Sequence, residues 1–167
     1  MGHKAHKQAA PKNLRLGILT VSTTRSLAED KSGHWMNRQA KREGHTVVLH
    51  RVIPDDRSEI SRIVSEVVNH QAPEILLVNG GTGLSPSDVT IEAVRPLFSK
   101  ELTAFSPLFA QLSYEDIDSA AIVSRATAGV IGKTALFCLP GSINACKLAC
   151  KALIFPEAGH ITAHIRS

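Results

Sequence analysis

Aromatic side chains are scarce in this 167-residue chain, which has five Phe, one Tyr and one Trp. So few rings cannot furnish the stacking platforms that hold single-stranded nucleic acid. Cysteine is equally sparse. Cys138, Cys146 and Cys150 are an odd number with no C-x-x-C pair, and Cys146 and Cys150 fall at i, i+4 on a predicted helix, so reduced, core-facing thiols are expected. No apolar run approaches the roughly 20 residues of a membrane span, and the N-terminal segment has no apolar signal core. The expectation is a cytoplasmic protein that crosses no membrane.

A surplus of one charge is also nearly missing once its location is considered. The formal charge of +4 comes from 19 basic and 15 acidic residues, and Lys4, Lys7 and Lys12 lie in a leading stretch without hydrophobic periodicity. Removing those three from the 19 leaves 16 basic residues against 15 acidic ones. The surplus therefore belongs to a basic tail, residues 1–13, and no nucleic-acid partner is expected. Residues 14–167 have the length of one compact domain.

What is present is an alternation of strands and helices. Residues 14–22 form an apolar, β-branched run, followed by a helix over 35–43 that stops at Gly44. A second strand ends at Pro54-Asp55-Asp56. Ile60, Ile63, Val64, Val67 and Val68 then recur at helical spacing. Residues 74–78 are a third strand, and a helix opening at Asp88 follows. Mixed helical patterns over 102–112 and 117–123 are interrupted by the polar residues 113–116. A turn over 128–134 leads to a last buried strand, 135–139, then to a helix over 144–153 and another from Pro156. Short alternating segments of this kind predict a three-layer α/β/α sandwich with a mostly parallel central sheet. Ligands in such sheets gather beyond the carboxyl ends of the strands.

Three glycines follow the third strand, in Gly80-Gly81-Thr82-Gly83-Leu84-Ser85. Glycine permits positive φ and close approach of main-chain N–H donors, so the loop suits a phosphate group. The spacing matches neither the P-loop nor the dinucleotide fingerprint. Pro140-Gly141-Ser142 is a second small-residue turn after a buried strand. Asp55, Asp56 and Asp88 place carboxylates near the same edge, where magnesium could bind through one or two of them together with phosphate oxygens; helix capping is the competing reading for each. His160 and His164 have the i, i+4 spacing of a metal pair without an evident third ligand, and read as a surface helix; His3 and His6 lie in the tail. Ser32 and Ser124 lack the neighbouring histidine that acyl transfer would need.

The stretch from Gly80 through Asp88-Val89-Thr90-Ile91-Glu92-Ala93 resembles the signature of the molybdopterin-binding family, the MoaB and MogA proteins of molybdenum cofactor biosynthesis. Asp30-Lys31-Ser32-Gly33, Ile53-Pro54-Asp55-Asp56, Ala128-Gly129-Val130 and Leu139-Pro140-Gly141-Ser142 resemble its other motifs in order. Pro156-Glu157-Ala158-Gly159-His160 with Ile165-Arg166-Ser167 resembles the MoaB branch. The resemblance implies a trimer, or a hexamer built from trimers, and adenylylation of molybdopterin by Mg-ATP with release of pyrophosphate. A non-catalytic molybdopterin carrier is the alternative it allows. By the same resemblance Asp55 and Asp88 are the catalytic and metal-binding acids, with Asp56 a neighbour that could replace Asp55. Gly80, Gly81, Thr82, Gly83 and Ser85, with Pro140, Gly141 and Ser142, are the molybdopterin or nucleotide-binding residues. The family commonly has Arg where this chain has Ser87, and Arg125 and Lys133 are the candidate replacements for that charge.

Overall fold

The computed structural model describes residues 11–167 and places six strands in one sheet, in the order β2-β1-β3-β6-β5-β4. The first four of these run parallel, and β5 and β4 are antiparallel additions at one edge. In chain order the elements are β1 (Arg15–Val21), α1 (Lys31–Arg42), β2 (Thr46–Ile53), α2 (Arg57–His70), β3 (Ile75–Asn79), α3 (Thr90–Val94), β4 (Lys100–Glu101), α4 (Phe105–Ile117), β5 (Thr127–Ile131), β6 (Thr134–Leu139), α5 (Ile143–Ala149) and α6 (Phe155–Arg166). Residues 1–10, which include His3, His6 and most of the expected basic tail, lie outside the described residues. Asn13, at the end of that tail, already accepts a hydrogen bond from Thr46 Oγ1 at 3.2 Å.

Strands buried on both faces explain the continuous apolar runs in the sequence. Successive residues of β1, β3 and β6 point to opposite sides of the sheet. Leu16, Ile18, Leu77 and Phe137 pack toward α1, α4, α5 and α6, whereas Leu19, Leu76, Val78 and Leu136 pack toward α2 and α3. Both layers close over the sheet as expected. Cys138, Cys146 and Cys150 are free and buried in these cores, as their spacing implied. Burial pushes all three thiols upward, Cys146 to about 12, so they are inert at neutral pH.

Several boundaries differ from the sequence expectation. The helix expected to open at Asp88 begins at Thr90 and lasts five residues, with Val89 as an N-cap that offers no side-chain bond. Too short to carry a useful dipole, it does not act as an anion-binding terminus. The polar residues 113–116 sit within one continuous helix, α4: Ser113 is buried on the face it shares with Phe105 and Phe109, and residues 114–116 are exposed. The two expected C-terminal helices are joined by a π turn, Cys150–Ile154, directly before Pro156. Proline has no N–H for an i−4 carbonyl and crowds it, and the widened turn accommodates both effects. The two-residue strand β4 has no alternation long enough to be read.

The order β2-β1-β3 sets the location of a crevice. The chain leaves β1 toward one side to form β2 and returns on the other side to form β3, so the crossovers diverge above the carboxyl ends of β1 and β3. Thr20 pairs with Asn79, and Asn79 with Leu139, so β1, β3 and β6 end level. Ser22, Gly80 and Pro140 emerge side by side. Among the described residues no helix is long and apolar enough to cross a membrane.

Candidate anion-binding site at the strand ends

A cleft of about 330 Å³ opens over this edge, and its walls include Gly80, Gly81, Thr82, Gly83, Asp88, Pro140 and Gly141. Seven of the expected site residues therefore share one cavity. Ser22, Arg25, Ser124 and Arg125 complete much of its lining. Ser85, Ser142 and Asp55 do not line it. A larger cavity, about 660 Å³, lies elsewhere against Leu102, Phe105 and Leu153. Its apolar walls offer little to an anion.

The glycine loop is held so that its carbonyls face one way. Thr90 Oγ1 donates to Gly80 O at 2.8 Å and Thr90 N to Gly81 O at 3.0 Å. Arg125 Nε donates to Thr82 O at 2.9 Å and Gly83 O at 3.1 Å. In a trans peptide the C=O of one residue and the N–H of the next point in opposite directions. The N–H groups of Gly81, Thr82, Gly83 and Leu84 are thus turned away from Thr90 and Arg125, and none has a hydrogen bond among the described residues. Four consecutive donors are left for a ligand. Gly80 and Gly81 make the bend possible at φ +93 and +64, and a Cβ at Gly80 would run into Val21 O.

The second turn is held in the same manner. Ser32 Oγ donates to Gly141 O at 2.9 Å and Cys146 Sγ to Pro140 O at 3.3 Å, so the Gly141 and Ser142 N–H groups point away from those partners. Ser142 itself caps α5, accepting from Ala145 N at 3.1 Å.

The three candidate acids separate by their partners. Asp56 caps α2, accepting from Glu59 N at 2.9 Å and Ser58 Oγ at 2.5 Å, and these bonds hold its carboxyl below the usual range. It is a structural cap. Asp55 Oδ2 accepts from Thr23 N at 2.8 Å and Thr23 Oγ1 at 2.9 Å, which leaves Oδ1 beside Gly81, 3.0 Å from where a Cβ there would lie. Asp88 Oδ2 accepts from Ser85 N at 2.9 Å and closes the loop tip, leaving Oδ1 available. Asp55 and Asp88 therefore flank the glycine loop, each with one uncommitted oxygen. No group of three or more metal-ligating side chains occurs among the described residues. Two carboxylates that await phosphate oxygens and water nonetheless fit the chemistry of magnesium.

The candidate cations also divide. Arg125 is committed to the loop carbonyls and to Glu92, with Nη1 to Oε1 at 2.5 Å; the pair lowers the Glu92 carboxyl and raises the guanidinium. It braces the loop and lines the cleft. Lys133 precedes β6 in the β5–β6 turn, at the opposite end of the sheet from Pro140. It cannot serve this site. Ser87 lies at the loop tip, its hydroxyl 3.0 Å from that of Ser85.

A buried network that the sequence reading missed supports this edge. Asp30 is fully buried; its Oδ1 accepts from Gly33 N at 3.0 Å, and its Oδ2 contacts Thr20 Oγ1 at 2.6 Å and His50 Nε2 at 2.8 Å. Burial pushes its carboxyl up, but the bonds from His50, Thr20 and Gly33 outweigh burial and bring it below the usual range. Thr20 Oγ1 also lies 2.8 Å from Asn79 Oδ1, while Asn79 Nδ2 is buried without a partner. One hydroxyl proton cannot serve two acceptors. Turning the Asn79 amide lets Nδ2 donate to Thr20 and leaves only a carbonyl oxygen unpaired, the less costly orphan. The chain Asn79–Thr20–Asp30–His50 then ties the end of β3 to α1. Asp30 was visible in the sequence only as part of a motif, and its partners Thr20 and His50 come from two other elements, β1 and β2.

His160 and His164 place their Nε2 atoms 2.9 Å apart, and Glu157 lies 3.1 Å from His160 Nδ1. This cluster is on α6, away from the cleft.

Comparison with known proteins agrees with the geometry. A family model described as a probable molybdopterin binding domain matches residues 17–160. The chain is 47% identical over 167 residues to molybdenum cofactor biosynthesis protein B of Bacillus subtilis (strain 168), covering 99% of this chain and 98% of that protein. It is 38% identical to a molybdopterin adenylyltransferase of Pyrococcus furiosus, covering 99% of each. A crystal structure of a molybdenum cofactor biosynthesis protein B superposes with a TM-score of 0.90 at 43% identity, covering 94% of this chain and 98% of that one.

Proposed function

The chain belongs to the molybdopterin-binding family of the MoaB and MogA proteins, and from that premise we propose that it acts in molybdenum cofactor biosynthesis as a Mg-ATP-dependent molybdopterin adenylyltransferase. The observation that carries this reading is the row of N–H groups at Gly81, Thr82, Gly83 and Leu84, unpaired among the described residues, with the carbonyls of Gly80 to Gly83 drawn the other way. Such a row holds a phosphate without needing a charged side chain. The relative named molybdopterin adenylyltransferase supports the same activity.

In this reaction a terminal phosphate oxygen of molybdopterin attacks the α-phosphorus of ATP. A new P–O bond forms, the α–β bridge breaks, and pyrophosphate leaves with the electron pair. The attacking oxygen is already anionic, so no strong general base is required. Alignment and neutralisation of charge dominate the rate. The loop N–H groups hold one phosphate, and the Gly141–Ser142 turn offers donors to a second. Asp55 and Asp88 would hold magnesium, which neutralises phosphate charge when bound. Arg125 keeps the loop carbonyls away from the anion, and Asp56 stays outside the chemistry.

One observation favours a second reading. Ser87 occupies the position where the family commonly has Arg, and serine cannot reproduce a bidentate phosphate contact. A carrier that binds molybdopterin without activating it would accept that loss. Incubation with molybdopterin and Mg-ATP separates the readings: pyrophosphate release supports the enzyme, saturable molybdopterin binding without release supports the carrier, and neither removes both.

A cytoplasmic trimer or hexamer completes the proposal. Leu108, Tyr114, Ile117, Ile122 and Val123 are large apolar residues exposed on α4 and the turn after it, a surface that suits a second copy. Sedimentation of the intact chain tests this, and a monomer at micromolar concentration would remove it.

A further inference from the structure

We infer that Arg25 is the phosphate-binding cation of this site, seated between two lobes of one cleft and gripping a nucleotide phosphate; the inference rests on the adenylyltransfer reading. The 330 Å³ cleft over the glycine loop has a neighbour of about 520 Å³, bounded by Leu27, His50 and Pro54. The two share Ser22 and Arg25. Arg25 is the one cation among the described residues that lines both.

Its loop is built to hold it there. Arg25 N donates to Ser22 Oγ at 3.1 Å, and the Thr23 amide and hydroxyl are both fixed on Asp55 Oδ2. The 3₁₀ turn Leu27–Glu29 follows, with Glu29 accepting from Ser26 N at 2.9 Å and Ser26 Oγ at 2.7 Å. His50, held by Asp30, contributes to the floor of the second lobe. The main chain on both sides of Arg25 is therefore pinned. Its guanidinium makes no hydrogen bond or ion pair among the described residues.

Elimination leads to the same residue. Phosphates lying between Asp55 and Asp88 are held more tightly by a positive partner beside the N–H row, and Ser87 provides none. Arg125 spends all three of its nitrogens on Glu92 and on loop carbonyls. Lys133 is at the other end of the sheet. Among the described residues, Arg25 is the only uncommitted cation lining the cavity that holds Asp88 and the glycine loop. A planar guanidinium at a junction of two lobes can engage two phosphate oxygens at once, which suits the phosphate chain of a nucleotide lying across both.

The test compares wild type with Arg25→Ala, Arg25→Lys and, as a control remote from the site, Lys133→Ala. Mg-ATP binding is measured by calorimetry, and pyrophosphate release is followed against Mg-ATP concentration. Arg25→Ala is expected to raise Kd and KM for Mg-ATP about 10- to 100-fold, the range of a lost charge-assisted contact. Arg25→Lys should recover part of that loss, and Lys133→Ala should match wild type. Because the Arg25 guanidinium makes no hydrogen bond or ion pair among the described residues, the melting temperature of Arg25→Ala should stay within about 1 °C of wild type. Wild-type Kd and KM in Arg25→Ala, with wild type itself active, would overturn the role of Arg25 and leave the adenylyltransfer reading intact. A wild-type chain that neither binds Mg-ATP nor releases pyrophosphate would remove that reading, and this inference with it.

Discussion

Asp88 holds two roles that substitution can separate. Its Oδ2 accepts from Ser85 N at 2.9 Å while its own N–H donates to Ser85 O at 2.9 Å, so the carboxylate closes the loop tip as well as facing the cleft. Asp88→Ala deletes the acceptor. A hydrogen bond to a charged group is worth about 1.5 to 3 kcal/mol, and partial exposure reduces this one to about 1 kcal/mol. For a chain of this size that is roughly 2 to 4 °C in Tm. Asp88→Asn keeps an oxygen for Ser85 N–H and removes only the charge, so its stability should fall by less than about 0.5 kcal/mol. Turnover should respond differently: both variants are expected to lose at least about 100-fold in pyrophosphate release, near 2.7 kcal/mol of transition-state stabilisation. Thermal melts and a coupled pyrophosphate assay on the same preparations read both quantities. Undiminished turnover in Asp88→Asn would refute the charge argument, and equal destabilisation of the two variants would refute the account of the loop closure.

Gly81→Ala forces φ +64 on a residue with a side chain and drives its Cβ into Thr90 Oγ1, which holds the Gly80 carbonyl. A loss of at least about 2 kcal/mol is expected by thermal denaturation, together with weaker Mg-ATP binding. Asp55→Asn should abolish most turnover, whereas Asp56→Asn should leave pyrophosphate release at the wild-type rate and lower Tm modestly through the weakened cap. The Asp30 carboxyl is lowered in the fold, so the unfolded chain takes up that proton first. Its contribution is therefore complete above about pH 4 and is lost as pH falls through the lowered folded value. Thr20→Val removes one of the bonds that lower it and brings the folded value closer to the unfolded one, so melts across pH 6 to 3 should show a smaller loss of Tm on acidification in the variant than in wild type.

The sheet and its edge were legible because three of the four parallel strands are buried on both faces, so β1, β3 and β6 announce themselves as apolar runs punctuated by Ser22, Gly80 and Pro140. The short elements were not. Strand β4 has two residues, and α3 has a single turn held by Thr90 and the loop rather than by periodicity. Among the acids, spacing alone could not separate Asp55 from Asp56, because the distinction depends on Thr23, 32 residues earlier in the chain. Arg25 was missed for a similar reason. It follows a polar loop without glycine or proline, and only the fold of β1 beside β3 brings it to the phosphate loop. Arg125 could be named as a cation but not assigned, since its commitment to Glu92 spans 33 residues.

The central claim is that the N–H row of the glycine loop receives the phosphate of a substrate, and amide chemical shifts test it most directly. Titration of the ¹⁵N-labelled chain with Mg-ATP, and separately with molybdopterin, should move the Gly81, Thr82, Gly83 and Leu84 amides furthest, with Gly141 and Ser142 next. Saturable shifts confined to the apolar cavity around Leu102, Phe105 and Leu153, with the loop amides unmoved, would contradict the account.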